Sequence, residues 1–385
     1  MGTSRRNNGR GARRAVLLGA VLVVALFSLS CRTGCSGGRT DEPTAAPQLV
    51  RRVHIAADAA PFAADVTSDG DVFLLAAGRG PVALWNSSSA PAGDPPRALV
   101  PVGEPLTSAQ FARVDDRVMV FTATEARGAV GLWSWPGSDG GAEATATFQH
   151  TYGLRSGYSA LTADGRFVAL GGAVFDRRTA EQVGEPVHLA TQSALAVADG
   201  GTRVVLAGFH EPWMVVRDLP GGAVRRWRAP DKVAAVAIDA RGELIAALTR
   251  DGHLRLWRQP SGESAGDIPG AAGGGGLTGR GLQFVAGGSQ LLLADDAGLS
   301  LFDVQSRRKV WHAAVDGGLS SFACRGSVAA GGTAAGVALV WDLARHAVVA
   351  RVQASPTAIT AVAVNERRHL VLAADQNGDA TLWRW

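Results

Sequence analysis

The chain has 385 residues, among them 49 Gly, 17 Pro and 10 Trp but only two Tyr, two Lys (Lys232 and Lys309) and three Cys, and its net charge is +4. A composition of 46% hydrophobic and 19% charged residues can build a core, which excludes wholesale disorder, and three cysteines exclude a disulfide scaffold. The length admits two or three ordinary domains or one large repeat domain, and the basic balance raises nucleic acid as a partner until the charge is located.

The charge is at the N-terminus. Arg5, Arg6, Arg10, Arg13 and Arg14 precede an apolar run over residues 15–29, and no acidic residue occurs before Asp41. As a helix that run spans roughly 22 Å, short of the ~30 Å hydrocarbon core of a bilayer. Residues 1–30 are therefore predicted to be an export signal peptide, with a short signal anchor as the alternative. Ser28-Leu29-Ser30-Cys31 resembles a bacterial lipoprotein box, which implies lipidation at Cys31; a plain signal peptide or anchor is the competing reading. Arg13-Arg14 resembles a twin-Arg signal more faintly. Without residues 1–30 the chain has 33 basic and 34 acidic residues, net −1, so nucleic acid is not the expected partner. Residues 31–48, rich in Gly, Ser, Thr and Pro, read as a flexible tether.

Residues 49–385 repeat one motif eight times. An apolar strand ending on a marker residue recurs at Trp85, Trp133, Phe175, Arg217, Trp257, Phe302, Trp341 and Trp383, at intervals of 39 to 48 residues. That is the period of a propeller blade, one four-stranded sheet of ~40–45 residues. A glycine lies four or five positions before the marker at Gly80, Gly128, Gly171, Gly252, Gly298, Gly336 and Gly378, with Pro212 in the fourth repeat. Gly at that place suits a turn between two strands, because it tolerates φ > 0. Polar turns such as Ser68-Asp69-Gly70 and Ala163-Asp164-Gly165 come earlier in each unit. In the fifth repeat the pattern predicts strand A over 232–239, B over 243–249, C over 253–258 and D over 263–268. The fold predicted is an all-β, eight-bladed β-propeller; seven blades with an extra partial repeat is the alternative.

Asp251-Gly252-His253-Leu254-Arg255-Leu256-Trp257 and Gly336-Val337-Ala338-Leu339-Val340-Trp341-Asp342 resemble WD repeats, over about residues 49–385. The Trp-Asp pair stands only at Trp341-Asp342, and the Gly-His pair of that family is missing, so its buried His/Asp network is not carried over. Residues 298–311 (GLSLFDVQSRRKVW) are similar instead to quinoprotein-like propeller repeats, in which a late Trp docks on the next blade. Eight-bladed lipoproteins of the outer-membrane assembly machinery are built from such repeats.

The sequence ends at Trp385, two residues past the eighth marker, while a surplus strand over residues 48–55 precedes the first unit. The expected closure pairs residues 48–55 with residues 380–385 in blade eight, which removes a sheet edge.

No catalytic signature emerges. The eight His show no His-x-x-x-His or His-Glu-x-x-His spacing, there is no Cys-x-x-Cys and no Gly-x-Ser-x-Gly. Cys324 lies in an apolar strand expected over 319–324 and reads as a small buried hydrophobe. Gly273 to Gly276 lack the Lys and Ser/Thr of a phosphate loop. The recurring tryptophans read as packing residues, and Arg225-Arg226-Trp227-Arg228 as a solvated outer strand. No cofactor and no metal is expected; an acid–base pair in the channel remains open at this level.

Functional residues are sought where the repeat breaks. Residues 149–158 (QHTYGLRSGY) hold both tyrosines, and residues 209–213 (FHEPW) replace the Gly turn of the fourth unit. His150, Tyr152, Arg155, Tyr158, His210, Glu211 and Trp213 are the candidate partner-binding residues, having the composition of an interaction hot spot. By blade topology D–A and B–C loops open on one face, so the two loops could adjoin. The reading is a non-enzymatic, exported, membrane-tethered, monomeric propeller that binds a protein or peptide. The alternatives are an outer-membrane assembly scaffold and an enzyme with its site in the channel mouth.

Overall fold

A computed structural model describes residues 46–55, 60–78, 80, 82–88, 96–135, 142–153, 157–189, 192–198, 200–208, 211–271 and 281–385. Cys31, the signal segment and the tether up to residue 45 lie outside the described residues, as do Arg155, Phe209 and His210.

Eight sheets, antiparallel but for one short pairing in the first, follow one another along the described chain, each a blade, and the seven-blade alternative falls. In blade five the strands are Val233–Ile238, Leu244–Thr249, Leu254–Arg258 and Ser264–Ile268, each within a residue or so of the predicted bounds. Strands B and C are nearly continuous apolar runs because sheets cover them on both sides; all six residues of Val72–Ala77 are buried. Outer strands alternate, as Val224–Arg228 does, because one face meets water. All seven marker glycines have φ between +54° and +136°. At Gly336 the constraint is double: φ is +78°, and an added Cβ would lie 2.0 Å from the Ser355 carbonyl oxygen.

The register adds a feature that periodicity does not display. In blades five, six and seven a bulge between strands C and D falls at the marker aromatic, between Leu256 and Trp257, Leu301 and Phe302, and Val340 and Trp341. The extra twist of a bulge turns the strand there and re-aims the large ring. Trp85, Trp133, Trp257 and Trp341 are buried and Trp383 is half-buried, as expected of packing residues.

The ring closes as the sequence implies. The N-terminal strand Gln48–His54 pairs antiparallel with Asp379–Arg384, outermost in the sheet of blade eight, and the Ile55 N–H donates to the Gly378 carbonyl at 2.9 Å. Val53 and Ile55 join one buried cluster with Phe73, Trp85, Leu372 and Leu382, so the closing strand packs on blade one as well as on blade eight.

Two blades depart from four strands. Blade one gains a fifth, because Ala142–Glu143, from the connection after strand C of blade two, pairs in parallel with Ala98–Val100. Blade three has three, Ser159–Leu161, Phe167–Leu170 and Ala173–Asp176. The fourth position is filled by irregular chain: Phe175 bridges to Gln182, and the Val183 and Val187 N–H groups donate to the Val174 and Gly172 carbonyls.

Candidate functional site

The D–A connections and B–C turns share one face. In blade three the Gly171 N–H, in the B–C turn, donates to the Tyr158 carbonyl, in the D–A connection, at 3.0 Å. The described candidate residues lie on this face, but the structure divides them among three environments.

Gln149, His150 and Thr151 belong to the outer strand of blade two, Thr145–Thr151, rather than to a loop. Tyr152, next in the chain, packs between blades. Its ring lies 4.4 Å from His150 and 3.9 Å from Phe175, the marker aromatic of blade three. Trp227 meets Trp257 in the same way across blades four and five at 5.9 Å, and Trp311 stacks on His346 across blades six and seven at 5.8 Å. Tyr152 is thus the late aromatic that ties blade two to blade three. Its hydroxyl is buried without a hydrogen-bond partner, and burial pushes its pKa up to about 12. Tyr152→Phe is therefore expected to melt at or slightly above the wild-type temperature, whereas Tyr152→Ala should cost about 2 kcal/mol or more from lost ring packing. Thermal unfolding of both variants checks this; a Phe variant as unstable as the Ala variant would show that the hydroxyl is bonded.

Tyr158 is exposed and lines a cavity of about 360 Å³ with Gly171, Gly172, Pro186, Val187 and His188. Gly172 is required there, since a Cβ would lie 1.7 Å from the Val187 carbonyl oxygen. A second cavity, about 370 Å³, opens on blade two and is lined by Glu104, Thr122, Trp133, Gln149 and His150. The two cavities lie on blades that follow one another in the chain, strand D of blade two ending at Thr151 and strand A of blade three beginning at Ser159. Glu211 is exposed, and Trp213 sits in blade four with the Arg226 and Arg228 guanidinium groups 4.2 and 5.9 Å from its ring centroid. His150 and Tyr152 are brought into contact; Tyr158 belongs to the neighbouring cavity; Trp213 is engaged by its own blade.

One half-buried carboxylate links strands A of neighbouring blades. Asp65, in strand A of blade one, accepts from its own neighbour's Val66 N–H and from the Phe111 N–H of blade two, both at 2.8 Å. Arg325 reaches from blade seven past blade eight to Asp65 Oδ1 at 3.1 Å and to the Val66 carbonyl at 2.6 Å. Burial raises the Asp65 pKa, while Arg325 and the two N–H groups oppose the rise. The arrangement ties blades one, two and seven together. Among the described residues no group of three or more His, Cys, Asp or Glu is placed to hold a metal ion. Cys324 lies in the strand Ser321–Arg325, half-buried, and burial followed by the Glu366 charge pushes its thiol up to about 12.

Sequence reasoning missed three residues. Arg217, at a marker position, is almost fully buried and donates across the blade boundary to the Val183 and Glu185 carbonyls. Gly131, two residues before Trp133, leaves room for the indole to fold back over it. Glu104 supplies the carboxylate of the second cavity. The first two break the repeat and were findable by aligning units; Glu104 carried no such signal.

No family model matches the chain, and no curated protein does. Among solved structures it is similar to the computationally designed Ika8 protein, with a TM-score of 0.66 and 15% identity over 86% of this chain and 97% of that one. At that identity the likeness concerns the fold alone, and it agrees with an all-β, eight-bladed β-propeller.

Proposed function

We propose that the protein is a non-enzymatic binding scaffold that takes an extended peptide or protein segment on the face of the D–A and B–C connections. The observation that carries the reading is the pair of cavities, about 360 and 370 Å³, on the neighbouring blades three and two. Side-chain pockets on a rigid frame suit recognition, and these two lie on the face that carries the irregular connections. The Arg-rich, apolar N-terminus and the lipobox-like Cys31 support export and tethering to a membrane. The docking of Trp227 and Trp311 on the following blades supports kinship with quinoprotein-like propellers, and through it the reading as an outer-membrane assembly scaffold.

Affinity capture from membranes with the wild type and a His150→Ala/Tyr158→Ala double variant tests the face. Neither residue carries the Tyr152–Phe175 contact, so the fold is expected to persist. Partner retention should fall about tenfold or more, the loss typical of one or two hot-spot side chains. A partner retained equally by both proteins rejects this face. Mass spectrometry of the mature N-terminus reads the tether directly: acylated Cys31 supports lipidation, and an intact Met1 rejects it.

A further inference from the structure

The cavity on blade two has a chemistry of its own. Glu104 contributes its carboxylate. The Ala129 N–H donates to Thr124 Oγ1 at 3.1 Å, so that hydroxyl turns its own hydrogen to Glu104 Oε2, also at 3.1 Å. One carboxylate oxygen is thereby oriented. Among the described residues, the other oxygen, Oε1, faces the Arg127 Nε at 3.8 Å, and the Arg127 side chain is 73% exposed. So long and exposed a pair contributes little, about 0–1 kcal/mol, and is readily exchanged. It also shows that a guanidinium approaches this carboxylate without obstruction.

Part of the lining is aromatic for a local reason. Gly131 stands where the other units have Ala83, Ala173, Val215, Arg255, Ser300, Leu339 and Thr381. A Cβ at Gly131 would lie 2.3 Å from Trp133 Nε1. Without it the indole folds back along the strand and donates from Nε1 to Thr122 Oγ1 at 2.9 Å. Trp133 therefore lines the cavity with apolar surface, and its N–H is already satisfied. An oriented carboxylate beside an indole is the environment in which a long basic side chain places its alkyl stem on the ring and its charge on the acid.

We infer that this cavity takes an arginine or lysine side chain of the bound peptide, in exchange for Arg127 at Glu104. The inference rests on the peptide-binding reading and adds what that reading does not specify, the chemistry of one subsite.

The test uses the immobilised full chain and four degenerate heptapeptide pools that differ only in the central residue: arginine, lysine, norleucine or glutamate. The arginine and lysine pools should be retained at least about tenfold better than the norleucine pool, and the glutamate pool least. Glu104→Gln should abolish the preference for the basic pools while leaving norleucine retention unchanged. Arg127→Ala, which removes the competing guanidinium, should strengthen the basic pools severalfold. Gly131→Ala should weaken them by displacing the indole, with thermal unfolding run alongside to confirm a folded protein. Retention of all pools without preference for a basic residue, or a preference that survives Glu104→Gln, overturns this inference and leaves the peptide-binding face standing. Retention of no pool overturns both.

Discussion

Cutting the chain at Asp58 is expected to destabilise it far out of proportion to the residues lost. The strand Gln48–His54 is the outer strand of blade eight, and its Val53, with Ile55 beyond it, is buried against blades eight and one. Burial of two aliphatic side chains is worth about 3–6 kcal/mol, before any loss from the ladder along Asp379–Arg384. Whole domains are stable by only about 5–15 kcal/mol. A chain of residues 58–385 should therefore unfold at a much lower denaturant midpoint than residues 46–385, or show no cooperative transition. It should also expose the edge of Asp379–Arg384 to other chains, so concentration-dependent association is expected. Superimposable denaturation curves for the two lengths would show that closure does not depend on this strand.

Arg217→Ala should be as damaging as truncation of a marker tryptophan, although no ring is lost. The other markers are aromatic rings; this one is a guanidinium, 1% exposed. Nη1 donates to the Val183 carbonyl at 2.6 Å and to the Gly222 carbonyl at 3.3 Å, and Nη2 donates to the Glu185 carbonyl. Burial lowers its pKa. No regular fourth strand exists in blade three, so the carbonyls of this irregular segment rely on an external donor. Removing that donor leaves buried acceptors unpaired, at about 1–3 kcal/mol each, and opens a cavity. A total loss of about 3 kcal/mol or more in urea unfolding is expected. Hydrogen exchange should accelerate at the Val183 and Val187 amides, which hold the segment to strand C. Replacement by Trp, the residue of five other units, should not rescue, because an indole donates one hydrogen bond and Gly184 leaves room only for the flat guanidinium: a Cβ there would lie 2.5 Å from Nη1. An Arg217→Ala variant as stable as the wild type would mean the segment is held by other contacts.

Both results turn on departures from the repeat, and those departures mark where sequence reading stops. Periodicity identified Trp257, Gly252 and the four strands of blade five to within a residue or so, because a blade repeats one local pattern of apolar strand, turn and aromatic. It placed His150 and Tyr158 on an irregular face, where they now line separate cavities. It took Tyr152 for an exposed contact, whereas the ring packs on Phe175. Both residues are one aromatic in one irregular stretch to a linear reading; which of them faces the next blade depends on where strand D ends.

The sequence by itself determined the number of blades, the turn positions and the closing strand, because each depends on residue types at a regular spacing and on one surplus strand. Only the tertiary structure decided the rest. The Arg325–Asp65 tie joins residues 260 apart, and Arg217 meets carbonyls 32 and 34 positions away. The carboxylate and indole of the blade-two cavity come from a D–A connection and a strand C that become neighbours only once the blade is built. Contacts between blades depend on the angle at which one sheet is laid against the next, and no spacing along the chain encodes that angle.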